Sequence, residues 1–185
     1  MKKNPNQFTT TKQTRYINEN GEYTNVYEEK VIERYNEQGY LYKNKTKFLK
    51  DFLDETYPSE LSWADRGRLG RLEHEIKENQ LLVYESNHVI KPHTIKTLSK
   101  ILECSDRQTR TLINKCKKLN VLGEAKINGE RYYLLNPRYK LHGNRISMIV
   151  WIVFQDYFRC TLPKYAYDYF LEDFELRKPN VEVIK

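Results

Sequence analysis

No stretch of this 185-residue chain is apolar for long enough to cross a bilayer. The longest run, Ile146 to Phe154, holds nine residues with Ser147 among them, against the roughly 20 that a spanning helix needs. Cysteine is scarce, and Cys104, Cys116 and Cys160 are an odd number without Cys-x-x-Cys spacing. That usage argues against a disulfide framework, suits a reducing compartment and reads as three buried apolar residues. The opening Met1-Lys-Lys-Asn-Pro-Asn-Gln7 is polar with no apolar run behind it, so no secretory leader is expected and a cytoplasmic location is. A Gly-rich phosphate loop is missing, which excludes a built-in ATPase.

Histidine numbers four, and no two are spaced as a metal pair. His88 and His93 flank Val-Ile-Lys-Pro, His74 sits between Glu73 and Glu75 that point to other helix faces, and His142 precedes Gly143 in a loop. We therefore expect no metal, no cofactor, no catalytic residue and no enzyme activity. The fifteen tyrosines lie mostly outside the basic segment described next. They read as strand residues with a polar tip rather than as base-stacking platforms.

What is abundant is positive charge in one place. The chain carries +7 overall, yet Lys91 to Arg145 holds thirteen Lys or Arg against four acids, a local +9, leaving −2 for the rest. A concentrated basic segment is what phosphate-backbone binding requires, because neutralising phosphates releases condensed counterions.

Along the chain, residues 1–14 read as a disordered N-terminus. Arg15 to Lys43 is rich in Tyr, Val, Ile and Thr, divided by Asn20-Gly21 and Gln38-Gly39, and predicts a small antiparallel meander. Lys45 to Glu55 (stripe Phe48, Phe52, Leu53) and Ser62 to Glu78 (stripe Leu69, Leu72, Ile76) predict helices separated at Pro58-Ser59. Gln80 to Ile90 reads as a short strand or extended connector that ends at Lys91-Pro92.

From Thr94 the signals agree at every level. Thr94 can cap a helix whose apolar face is Ile95, Leu98, Ile101 and Leu102. Ser105-Asp106-Arg107-Gln108 has the form of a capping box and starts a second helix with the stripe Leu112, Ile113, Cys116 and Leu119. Arg107, Arg110, Thr111, Asn114, Lys117 and Lys118 then fall on its other faces. Next, Glu124 to Ile127 and Glu130 to Leu135 flank Asn128-Gly129, a strong two-residue hairpin signal, and Asn136-Pro137 stops the second strand. Two helices at a tight turn followed by a basic hairpin are what a major-groove reader needs. The candidate DNA-contacting residues are Thr94 and Lys96 on the first helix; Ser105, Asp106, Gln108 and Thr109 at the start of the second, with its outward residues above; and Lys126, Asn128 and Arg131 on the hairpin.

The expected fold is α+β, a winged helix-turn-helix with an N-terminal β meander and a C-terminal helical extension, the DNA-binding domain spanning residues 15–145. Residues 146–176 form an aromatic helical extension and 177–185 a tail. Ile146 to Phe154 reads as a helix apolar nearly all round. Ile149, Trp151, Ile152, Phe154 and Phe158 are candidate homodimer contacts, the alternative being a helix packed wholly into its own core.

Several stretches resemble the RepL-type plasmid replication initiators of Gram-positive bacteria. They are Ile17-Asn-Glu-Asn-Gly-Glu22, Lys47-Phe-Leu-Lys50, the Thr94 to Leu119 helix pair, and Tyr132-Tyr-Leu-Leu-Asn-Pro137 through Gly143. The resemblance runs from about Thr14 to Phe158. It implies a winged-helix protein that binds double-stranded origin DNA and recruits host replication proteins, without nicking chemistry of its own. A transcription regulator or repressor of a plasmid or phage, acting with host transcription proteins, and a protein-interaction winged-helix module remain open alternatives.

Overall fold

The computed structural model describes residues 5–17, 23–41, 49–51 and 56–184. They form a mixed α+β fold whose strands all pair antiparallel. In chain order the elements are β1 (Gln7–Ile17), β2 (Tyr23–Glu33), β3 (Tyr35–Asn36), β4 (Gly39–Leu41), β5 (Leu49–Asp51), α1 (Trp63–Glu73), β6 (Val83–Ser86), β7 (Val89–Pro92), α2 (Ile95–Leu102), α3 (Asp106–Lys118), β8 (Leu122–Ile127), β9 (Glu130–Leu135), β10 (Lys140–His142), β11 (Arg145–Ile146), α4 (Met148–Val153), α5 (Gln155–Thr161), α6 (Lys164–Arg177) and β12 (Val181–Val183). Among the described residues no helix is long and apolar enough to cross a membrane.

The β8–β9 hairpin divides the interior. Strand side chains alternate between faces, so the register pairs Leu122 with Leu135 and Glu124 with Tyr133 on one face, and Gly123 with Leu134 and Ala125 with Tyr132 on the other. The first face closes a core built by α1, α2 and α3, with Leu69, Leu72, Leu98, Leu102, Leu112, Ile113 and Cys116 buried in it. The second face closes a core of Trp151, Phe154, Phe158, Ala166 and Phe170 from α4, α5 and α6. Gly123 is required by contact, because a Cβ there would stand 2.2 Å from Val153 Cγ1 and 3.0 Å from Phe154 Cζ.

The second core takes up three of the five candidate dimer contacts, in line with the self-packed alternative. Trp151, Phe154 and Phe158 are at most 2% exposed within a single chain, and Trp151 stacks on Phe170 at 5.3 Å with planes 6° apart. Ile149 and Ile152 are half-buried against the same cluster. The all-round apolar stretch is covered by its own chain: α6 folds back over α4, and Ile146 leaves the helix to pair with Tyr40 in β11–β4.

Other differences follow from pairing that local pattern does not report. Gln7 to Thr14, expected disordered, belongs to an eleven-rung ribbon with β2, held by backbone bonds between strands too polar to give an apolar signal. The expected single meander is two sheets, that ribbon and the three-stranded β11-β4-β3; Asn20-Gly21 lies outside the described residues. Within the expected helix at 45–55, Leu49–Asp51 is a strand paired with β10, while Phe48, Phe52 and Leu53 lie outside the described residues. Helix α1 stops at Glu73, and Ile76 is buried in an isolated bridge to Leu82. Residues 80–90, expected to be a short strand or extended connector, hold the strand β6 and the turn of a β6–β7 hairpin, at Asn87 and His88 with φ of 53° and 60°. The expected tail is strand β12, which extends the sheet to β12-β8-β9. Of the cysteines only Cys116 is buried, and Cys160 is exposed.

Trp151→Ala should therefore cost about 3–5 kcal/mol of stability in urea denaturation, the cost of emptying a buried aromatic site. A loss under about 1 kcal/mol, the size of an ordinary surface change, would contradict this packing.

Candidate nucleic-acid interface

Helix α2 begins at a reciprocal cap, in which Thr94 Oγ1 accepts from the Thr97 amide at 3.2 Å and Thr97 Oγ1 accepts from the Thr94 amide at 2.8 Å. It ends at Glu103, whose φ of 50° turns the chain in the left-handed region. Helix α3 opens two residues later on the expected box: Ser105 Oγ accepts from the Gln108 amide at 3.3 Å, and Gln108 Oε1 accepts from the Ser105 amide at 3.1 Å. The sequence pattern was sufficient here because capping is local chemistry. Asn128 (φ 52°) and Gly129 (φ 86°) make the β8–β9 turn, as expected of an Asn-Gly pair.

The outward face of α3 presents Arg107, Gln108, Arg110, Thr111, Asn114 and Lys118, all exposed. Asp106 is exposed too, and Thr111 Oγ1 donates back to the Arg107 carbonyl at 3.0 Å. Arg107, Arg110 and Lys118 carry no ion pair among the described residues, and neither do the exposed Lys96 and Lys100 of α2. Between the start of α2, α3 and β9 runs a crease of about 350 Å³, lined by Thr94, Lys96, Asp106, Arg110, Arg131 and Tyr133 together with His93 and Ile95. Burial pushes the Tyr133 hydroxyl pKa up, the Glu124 charge adds to the rise, and the Arg131 and Arg110 guanidiniums oppose it.

Four expected contact residues interact with other groups of the chain, Thr109 and Lys117 inward, Arg131 and Lys126 while partly exposed. Thr109 is fully buried, 3.3 Å from Cys104 Sγ. Lys117 turns inward to an ion pair with the buried Glu124. Arg131 Nε lies 3.1 Å from the other oxygen of Glu124, although its side chain stays 59% exposed. Lys126 Nζ lies 2.9 Å from Glu182 on β12. Comparison with family models, curated proteins and solved structures finds no match.

The sequence reading missed the acids that organise this surface. Glu124 and Lys126 alternate with Leu122 along β8, so a period of two would have put them on the α3 side. Asp65 had no such signal, since it comes from α1. Its carboxylate joins α1 to α3 by accepting from Lys115 Nζ at 2.9 Å, and it also closes the α1 cap by accepting from the Ser62 amide at 3.2 Å. The histidine of the crease is likewise committed. His93 is 4% exposed, with Nε2 3.2 Å from Glu75 and Nδ1 3.1 Å from Thr97 Oγ1. Burial lowers its pKa while Glu75 works against the shift.

Lys115 holds the Asp65 carboxyl below its ordinary value of 3.8, with burial opposing and Ser62 assisting. A carboxylate with a depressed folded pKa stabilises the fold above its unfolded value, and that stability is lost as pH falls through the folded value. Asp65→Asn should cost about 1 kcal/mol near neutral pH, the scale of a lost cap interaction. It should also flatten the decline in stability below about pH 4, measured as urea midpoints against pH; an acid limb as steep as in the parent protein would contradict the link.

Proposed function

We propose that this chain is a sequence-specific double-stranded DNA-binding protein of the winged-helix kind, with α3 as the major-groove reader and the β8–β9 hairpin as the wing. The order α1, the Leu81–Leu134 bridge, α2, α3, β8 and β9 is consistent with that arrangement. The observation that carries the reading is the outward face of α3. Arg107, Arg110 and Asn114 follow one another at helical spacing, are exposed, and sit beside Thr111 and Lys118, whereas neighbouring cations are taken up by internal acids. Arg and Asn are the side chains suited to bidentate contacts with guanine and adenine edges. Lys96 and Lys100 flank the reader as backbone contacts, which position a protein without selecting sequence.

The resemblance to RepL-type initiators supports a replication origin as the DNA concerned, with host replication proteins as partners. A promoter or operator would engage the same surface, since initiators and regulators differ in what the bound protein recruits.

Selection from random duplex DNA followed by salt titration tests the reading. Arg107→Ala and Arg110→Ala should each weaken binding to the selected sequence by about 1–3 kcal/mol and relax selection at one position. Lys96→Ala should weaken all sequences alike and lower the salt slope by about 1. Failure to enrich any sequence from the pool would overturn the proposal in favour of a protein-interaction module.

A further inference from the structure

Glu124 is an acid where a DNA-facing surface would be expected to avoid one. It is 5% exposed on β8 and faces α3. One oxygen pairs with Lys117 from α3, and the other is approached at 3.1 Å by Arg131 Nε from β9. That approach is not aligned as a hydrogen bond, so Glu124 Oε1 is a buried acceptor without a hydrogen-bond partner among the described residues. Arg131, meanwhile, keeps 59% of its side chain exposed and lines the crease with three cationic or polar neighbours, Arg110, Lys96 and Thr94, and one acid, Asp106. The trio of two cations and one acid carries a net charge of +1, and its exposed member is the arginine.

We propose that Glu124 is a positioning residue that holds the Arg131 guanidinium over the crease between α2, α3 and β9 as a preset contact for a DNA phosphate; this rests on the DNA-binding reading above. Lys117 neutralises the carboxylate from the α3 side, so Arg131 retains its attraction for a phosphate. Contact with Glu124 is through Nε while the side chain stays 59% exposed, and a planar fork suits phosphate oxygens. Ordering a long side chain during folding removes that cost from the binding step. The arrangement also couples the hairpin to the reading helix, since one carboxylate is shared by β9 and α3.

The test has a sign that simple charge counting does not. Removing an acid beside a phosphate site should tighten DNA binding if Glu124 is merely a nearby negative charge. As a positioning residue, Glu124→Gln should instead weaken binding of the full chain to mixed-sequence duplex DNA by about tenfold, on the scale of one charge-assisted hydrogen bond. In the Glu124→Gln background Arg131→Ala should have much less effect than it has alone, a non-additivity expected of residues acting as one unit. Arg131→Lys, at an exposed position that spares the fold, keeps the charge but loses the fork and should weaken binding nearly as much as Arg131→Ala. Binding by Glu124→Gln equal to or tighter than that of the parent protein, or full binding by Arg131→Lys, would overturn the proposal while leaving the DNA-binding reading in place. No duplex binding by the parent protein would overturn both.

Discussion

The strict alternation of side chains along β8 and β9 is the constraint on which the rest of this structure depends. A two-stranded hairpin is marginal in water by itself, and this one is stabilised because both faces are covered. Leu122, Tyr133 and Leu135 close the core of α1, α2 and α3, while Ala125 and Leu134 close the aromatic core of α4, α5 and α6. A slip of one residue would exchange the two faces and bring charged side chains against the aromatic helices. Such a slip is prevented at Gly123, where α4 approaches too closely for any side chain. The same alternation produces a gradient on the helix-facing side, from Leu122 and Leu135 through Glu124 and Tyr133 to Lys126 and Arg131. The hairpin is thus core at its base and charged at its tip.

Charge is distributed by the same geometry. Acids take up several cations of the basic segment, Glu124 from within it by holding Lys117 and Arg131, and three from elsewhere in the chain: Asp65 binds Lys115, Glu182 meets Lys126, and Glu73 meets Lys140. Among the described residues, the cations of that segment that stay exposed without an ion pair are Lys91 on β7 and, on α3 and α2, Arg107, Arg110, Lys118, Lys96 and Lys100. The surface on which a nucleic acid would lie is accordingly narrower than the local charge of +9 suggests. Exposed ion pairs such as Lys126–Glu182 are weak and screened by salt, whereas the buried Glu124 cannot lose its partners without leaving an uncompensated charge.

Local chemistry was legible in advance. Thr94 and Ser105 cap the helices they were expected to cap, Asn128-Gly129 turns the hairpin, and the buried stripes of α2 and α3 lie where helical periodicity put them. Errors gathered where a segment's partner is far away in sequence. Leu49–Asp51 has a helical pattern but pairs with β10, Gln7–Thr14 is too polar to signal a strand but pairs with β2, and Val181–Val183 looks like a tail but pairs with β8. The aromatic excess of residues 146–174 left a dimer face and a self-packed core both open, because the strands that it covers come from elsewhere in the chain.

By itself, then, the sequence determined the helix pair, its caps and the hairpin turn, because each depends on residues within about one or two turns of one another, and the concentration of positive charge, because that is composition alone. Tertiary structure alone decided which of those charges stay exposed, whether the aromatic helices face a partner or their own chain, and which strands complete the sheets. Those outcomes turn on pairings such as Asp65 with Lys115 and Lys126 with Glu182, and no local propensity carries information about a partner fifty residues away.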